Sequence, residues 1–94
     1  MTDESAFAVF AGAYLNQDVF DFYADEFAAT DDFVRQDPDL AVQLLGEIRD
    51  ALGRYPDEVG LKGFLDDLGV EIGPGDITYR EWLTQIADRV RAAT

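Results

Sequence analysis

Adjacent carboxylic acids are the side chains in this sequence with the greatest capacity for chemistry. Two carboxyl groups on one centre can divide the roles of general acid and general base, or can bind a hard cation such as Ca²⁺. The adjacent acids are Asp25-Glu26, Asp31-Asp32, Asp57-Glu58 and Asp66-Asp67. On a helix, however, adjacent side chains point about 100° apart, so neighbours rarely converge on one atom. We therefore interpret these pairs as solvated surface and expect no metal site.

The other common catalytic groups are missing from the composition. The 94 residues include no histidine and no cysteine, which excludes imidazole and thiol chemistry, disulfides and Cys/His zinc sites. No acidic segment has the spacing of a Ca²⁺-binding loop, and Gly73-Pro74-Gly75 is typical of a turn. We expect a binding protein without cofactor rather than an enzyme. A carboxylate-dependent enzyme is the last-ranked alternative and would require two acids that converge in a cleft.

The charge balance restricts the kind of partner. Twenty acidic and seven basic residues give a net charge of -13. Phosphate backbones and anionic lipids require clusters of Lys and Arg, so we expect no nucleic acid and no membrane as partner. The acidic residues 1–4 do not resemble a signal peptide, and no apolar run approaches the roughly 20 residues of a membrane span. We expect a cytoplasmic protein with a basic partner.

The acids are distributed unevenly along the chain. Residues 1–34 contain eight acids and no base, whereas residues 35–94 contain the other twelve acids and all seven bases. An excess of charge can simply keep a small protein dispersed. We nevertheless favour an interaction face for a cationic partner. The predicted partner-binding residues are Asp18, Asp21, Asp25, Glu26, Asp31 and Asp32.

Helical spacing of apolar residues predicts the elements that position these acids. We expect an all-α fold, a single small bundle of four to five helices formed by one domain over residues 1–94. A first helix is predicted over 3–15 and a second from Ala24 or Asp25 to Gln36, with its acids in water. A turn or a short helix is expected between them.

Turn residues and caps predict the remaining helices. Asp37-Pro38-Asp39 begins a third helix, since Asp can cap it and Pro needs no donor in the first turn. Tyr55-Pro56-Asp57-Glu58 repeats this pattern for a fourth, which Gly69 ends. Thr78-Tyr79-Arg80-Glu81 predicts a capping box at the start of the last helix. The apolar stripes of the three are Leu40, Leu44, Leu45, Ile48, Ala51, Leu52 and Tyr55; Leu61, Phe64, Leu65 and Leu68; and Tyr79, Trp82, Leu83, Ile86 and Val90.

Four aromatic residues stand close together without a clear helical period. Phe20, Phe22, Tyr23 and Phe27 could form an exposed recognition patch, because aromatic side chains anchor interfaces. We favour the alternative that they close the core, since burial of aromatic surface is stabilising.

Three segments carry a resemblance to a known family. They are 10–18 (FAGAYLNQD), 61–69 (LKGFLDDLG) and 78–83 (TYREWL), of which the last is the most specific. In their order and type they resemble small immunity proteins of contact-dependent growth inhibition, the CdiI type, over nearly the whole chain. The sequence departs from the family pattern after Asp18, where Val19 stands in place of a common Trp.

The resemblance implies an intracellular bacterial antidote that binds and neutralises the toxic domain of a delivered effector, often a nuclease or another enzyme with a basic surface. It also implies that Tyr79, Trp82 and Leu83 hold the scaffold while the variable acidic surface selects the toxin. The alternative is an acidic adaptor or regulator of a cellular machine, with no toxin as partner.

Overall fold

The computed structural model describes residues 5–93, which form six helices and no strand. The predicted all-α fold is confirmed, and the expected short helix between the first two longer ones is present. The helices are α1 (Ala6–Tyr14), α2 (Val19–Phe22), α3 (Glu26–Gln36), α4 (Pro38–Arg54), α5 (Glu58–Asp67) and α6 (Tyr79–Ala93). The predicted beginning of the first helix at Asp3 lies outside the described residues. Within the described part, no helix is both long and apolar enough to cross a membrane.

The two longest helices form the centre of the core. Helix α6 packs against α3, α4 and α5, and α4 packs also against α1 and α3. Both helices carry the predicted apolar stripes, which remove hydrophobic surface from water and so stabilise the fold. The large side chains that are less than 2% exposed are Phe7, Phe10, Leu15, Leu44, Ile48, Leu61, Leu65, Trp82, Leu83, Ile86 and Val90.

Aspartate or serine side chains begin four of the helices. In each case an oxygen of the N-cap side chain accepts a hydrogen bond from a backbone N–H three residues later, which satisfies a donor that the helix leaves free. The caps are Ser5, Asp25, Asp37 and Asp57. The prediction of Asp37 as cap with Pro38 in the first turn is confirmed. The predicted beginning of the next helix at Tyr55-Pro56-Asp57-Glu58 is also confirmed, with Asp57 as cap, but the expected place of the proline is wrong, because Pro56 precedes the cap and lies outside α5.

Two helix beginnings also receive carboxylates from distant parts of the chain. Glu47 of α4 accepts from the backbone N–H groups of Ala6 and Phe7, at 3.0 and 3.1 Å. Glu58 of α5 accepts from those of Tyr79 and Arg80, at 2.7 and 3.2 Å. A negative charge at a helix N-terminus is favourable because the helix dipole is positive there. These two acids therefore join neighbouring helices as well as capping them.

The predicted capping box at Thr78 is confirmed in one half. The Thr78 hydroxyl accepts from the backbone N–H of Glu81 at 3.0 Å. The Glu81 carboxylate accepts from the Thr78 hydroxyl at 3.2 Å, whereas we expected it to accept from the Thr78 backbone N–H. The Glu58 carboxylate already satisfies the first two N–H groups of α6, so the arrangement is shared between two glutamates.

Helix α5 ends at Gly69 as predicted. Gly69 has φ +86°, a left-handed conformation that glycine adopts without steric cost. The N–H of Val70 donates to the carbonyl of Leu65 at 3.1 Å, and that of Gly69 donates to Asp66 at 3.0 Å. This is a Schellman motif, and it turns the chain into the loop that leads to α6.

Candidate partner-binding surface

Residues 16–23, which lie between α1 and α3 and contain α2, are called the α2 segment below. Asn16 fixes its beginning, since the side-chain N–H₂ donates to the carbonyl of Gly12 and the side-chain oxygen accepts from the N–H of Asp18, both at 3.0 Å. The carbonyl of Asn16 accepts from the N–H of Val19 at 3.2 Å. One side chain thus ends α1 and sets the direction in which α2 leaves it.

The loop before α6 also contacts the beginning of the α2 segment. The N–H of Glu71 donates to the carbonyl of Leu15 at 2.9 Å, and the Glu71 carboxylate accepts from the N–H of Gln17 at 3.3 Å. Leu15 itself is fully buried in the core. The beginning of the α2 segment is therefore attached to the body of the protein by backbone and side chain together.

Tyr23 fixes the other end of the segment. Its hydroxyl donates to Asp32 of α3 at 2.5 Å, and its ring lies 6.0 Å from that of Tyr14 of α1, measured between centroids. The hydrogen bond to Asp32, followed by partial burial and the negative charge of Asp32, raises the pKa of Tyr23 to about 12. Both ends of the segment are therefore attached to the rest of the protein, the beginning to α1 and the loop before α6, and the end to α3.

Two phenylalanines of the α2 segment lie in solvent. Phe20 is 53% exposed and Phe22 is 77% exposed, whereas Val19 is 3% exposed. Our prediction that the aromatic cluster closes the core is wrong for these two residues, while Tyr23 and Phe27 are half-buried. The reason is geometric, because successive residues of a helix fan out by about 100° and a single turn can direct only about one side chain to the core. Val19 occupies that position.

Two of the six predicted partner-binding acids belong to this segment. Asp18 and Asp21 are exposed, and their carboxylates make no hydrogen bond and no ion pair with the described residues. Asp18 occupies the N-cap position of α2 but has helical backbone angles and makes no capping bond. Both charges are therefore available to another molecule.

Two further predicted acids, Asp25 and Glu26, begin α3. Asp25 is the N-cap and accepts from the N–H of Ala28 at 2.8 Å. Glu26 is half-buried and accepts from the indole N–H of Trp82 at 3.3 Å, which satisfies the polar group of the largest core side chain. These two acids have structural roles in addition to any contact with a partner.

The last two predicted acids, Asp31 and Asp32, are paired with arginines. Asp31 accepts two hydrogen bonds from Arg89 of α6, at 2.8 Å each, and these lower the pKa of Asp31. Asp32 accepts from Tyr23 and, at 2.9 Å, from Arg35, and these bonds in that order lower the pKa of Asp32. The side chain of Asp32 is only 17% exposed, so the prediction that the acids of this helix stay in water is wrong for it.

The acid-rich first third of the sequence is thus partly neutralised in space. Arg35 was readable as a partner of Asp32, since the two are three residues apart on one helix. Arg89 is 58 residues away from Asp31, and nothing in the local sequence pairs them. The structure separates an unpaired set, Asp18 and Asp21, from a set with internal partners.

Residues 5–93 contain no pocket and no group of three or more acids arranged to hold a metal ion. Two other large apolar side chains are exposed, Val42 at 58% and Val59 at 83%, each alone on the outside of a longer helix.

Comparison with known proteins gives one match. A family model described as CdiI immunity protein matches residues 5–90, which include all six predicted partner-binding acids. No curated protein and no solved structure matches the chain significantly. Because the match covers nearly all of the chain, the family indicated by its three sequence segments is confirmed, and the protein belongs to the CdiI immunity proteins.

Proposed function

We propose that this protein binds a cognate toxin domain, in the manner that its family name describes, and neutralises it by occluding its working surface. Membership of the CdiI immunity proteins is the observation that carries this proposal. It acts by binding rather than by catalysis, and its place of action is the cytoplasm. The lack of cysteine in the sequence agrees with a reducing compartment.

The charge of the protein supports a partner with a basic surface, such as a nuclease or another enzyme that binds a polyanion. The net charge is -13, and complementary charge accelerates encounter between proteins. We propose that the interface includes the six predicted acids and that Asp18 and Asp21 are its leading charges. An unpaired exposed carboxylate can form a new ion pair without first breaking one within its own protein.

The test uses the toxin domain encoded by the adjacent gene. Its association and dissociation rates with the wild-type protein are measured at two salt concentrations, and protection is measured as growth during toxin expression. We expect binding, protection and faster association at low salt, since salt screens exposed charges. Failure of the wild type to bind or protect, together with recovery of a housekeeping complex from lysate, would instead favour the adaptor class.

A matched pair of variants isolates the leading charges. Asp18→Asn with Asp21→Asn changes the net charge by +2, and so does Asp67→Asn with Asp76→Asn, where the carboxylates are likewise exposed and make no bond within residues 5–93. We expect the first variant to associate several-fold more slowly at low salt and the second to resemble the wild type. Equal slowing by both would show that only total charge matters.

A further inference from the structure

The exposure of Phe20 and Phe22 sets them apart from the other aromatic residues. The chain contains twelve aromatic residues, and the ten others are buried or half-buried. Apolar side chains that lie singly in solvent are common on proteins, but here two large aromatic side chains are exposed on the same single turn. The two residues therefore require an explanation that the fold alone does not give.

Loose backbone does not account for this exposure. Asn16 and Glu71 attach the beginning of the α2 segment, and Tyr23 attaches its end to Asp32. Val19 is buried between these attachments. Both ends of the segment are hydrogen-bonded while Phe20 and Phe22 are exposed, and a backbone attached in this way needs less ordering when it binds a partner.

The charges around the two rings indicate the chemistry of the partner. On a helix, Asp21 lies about 200° from Val19 and thus faces outward, with Phe20 and Phe22 at its two sides. Asp18 adds a second unpaired carboxylate at the beginning of the turn. The exposed turn thus presents a carboxylate flanked by two aromatic rings, a combination of apolar anchors and charge that suits a partner surface with apolar and basic groups side by side.

We propose that Phe20 and Phe22 are the apolar anchors of the interface with the cationic toxin domain, and that they enter apolar recesses on it that lie on either side of a Lys or Arg facing Asp21. This inference rests on the proposed function and deepens it. A second copy of this chain does not fit, because it would bring two sets of unpaired carboxylates together. An anionic lipid surface does not fit for the same reason of charge.

The two kinds of residue in the α2 segment then act on different rate constants. Asp18 and Asp21 raise the association rate, since charges steer the encounter. Phe20 and Phe22 lower the dissociation rate, because contacts buried at the centre of an interface set the residence time. This division distinguishes an anchored interface from one that holds by charge alone.

The experiment compares two double variants. In the first, Phe20 and Phe22 are both changed to Ala. In the control, Val42 and Val59 are both changed to Ala, which removes exposed apolar surface from α4 and α5. Dissociation of each variant from the purified toxin domain is measured after thermal melting has shown that it is folded. We expect the phenylalanine variant to dissociate at least about 30-fold faster, with its association rate changed less than about threefold. The valine variant is expected to match the wild type.

The outcomes separate this inference from the proposed function. If the wild type binds the toxin domain and the phenylalanine variant dissociates at the same rate, the anchor role is wrong and the function stands. If the wild type does not bind, both are wrong. Self-association of the wild type that the double variant loses, measured by sedimentation, would assign the rings to a contact between copies and overturn the proposal.

Discussion

Helices α2 and α6 combine aromatic and acidic residues and use them in opposite ways. Trp82 of α6 is 1% exposed, and its indole N–H is satisfied by Glu26. Phe20 and Phe22 of α2 are mostly in solvent. The difference follows from length, because fifteen residues can keep a stripe against the core over four turns, whereas four residues can bury only one side chain.

The N-termini of the two helices also differ, since that of α6 is capped by side chains and that of α2 is not. The first backbone N–H groups of α6 donate hydrogen bonds to the side chains of Glu58 and Thr78, while α2 begins at Asp18 without a side-chain cap. Isolated helices of a single turn are unstable, since nucleation fixes several residues for one hydrogen bond. Helix α2 therefore depends on Asn16, Glu71 and Tyr23 outside it. Buried side chains and a double cap thus characterise α6, whereas α2 leaves two phenylalanines in solvent.

The largest effect is expected at Trp82. Trp82→Ala should reduce the free energy of unfolding by about 3 to 5 kcal/mol, because it leaves a cavity in the core and deprives Glu26 of its donor. Chemical denaturation followed by circular dichroism measures this loss. The free energy of unfolding of a native protein is only about 5 to 15 kcal/mol, so partial unfolding of the variant at room temperature would also agree with this expectation. A loss below about 1 kcal/mol would contradict the central role given to α6.

The cap of α6 should have a smaller effect. Glu58→Ala is expected to cost about 0.5 to 2 kcal/mol, since it leaves the N–H groups of Tyr79 and Arg80 to water and removes a negative charge from the helix N-terminus. Asp67→Ala is the control on the same helix α5, because its exposed carboxylate makes no bond within residues 5–93. Equal stability of the two variants would show that α6 does not need this cap.

Local signals in the sequence were sufficient for most of the fold. Helix α4 follows from the cap at Asp37, the proline after it and an apolar stripe that repeats over four turns. Gly69 and Thr78 mark the end of α5 and the beginning of α6 for reasons of backbone geometry that a few neighbouring residues determine. Such features can be predicted because the interacting groups lie within five positions of one another.

The features that sequence reasoning missed depend on residues that are distant in the chain. Glu47 caps a helix 40 residues before it, and Arg89 neutralises an acid 58 positions away. The exposure of Phe20 and Phe22 was missed because phenylalanine is usually a core residue. The single turn of α2 directs Val19 to the core and leaves the two rings in solvent. Of the six predicted site acids, the local pattern identifies a partner for Asp32, which is Arg35 on the same helix, but not the distant partners of Glu26 and Asp31.

The attachment of the α2 segment to α3 can be tested by its pH dependence. The pKa of Tyr23 is raised from 10.0 to about 12 by Asp32, so this contact contributes stability that is fully present below pH 10 and is lost as the pH rises to about 12. The pKa of Asp32 is lowered, so the same contact is present above the ordinary value of 3.8 and is lost as the pH falls through the lower folded value. The ultraviolet absorbance of tyrosinate should therefore show the ionisation of Tyr23 near pH 12.

Tyr23→Phe provides the comparison for this titration. The variant should lack the ionisation near pH 12, and its stability should fall less steeply than that of the wild type between pH 10 and 12. Phe retains the ring contact with Tyr14 while removing the hydroxyl that Asp32 accepts from. If the ionisation that the variant loses lay near the ordinary value of 10.0 instead of near 12, the end of the α2 segment would be free of α3.

The smallest effect on stability is expected at Phe22, and its matched control lies in the same helix. Phe22→Ala should change the free energy of unfolding by no more than about 0.5 kcal/mol, since the side chain is 77% exposed. Val19→Ala removes fewer atoms but should cost about 1.5 kcal/mol, because Val19 is 3% exposed and its methyl groups leave the core. Denaturation of both proteins in parallel measures the difference. If Phe22→Ala were the more damaging change, the ring would be holding α2 in place, and a structural role would replace the recognition role that separates α2 from α6.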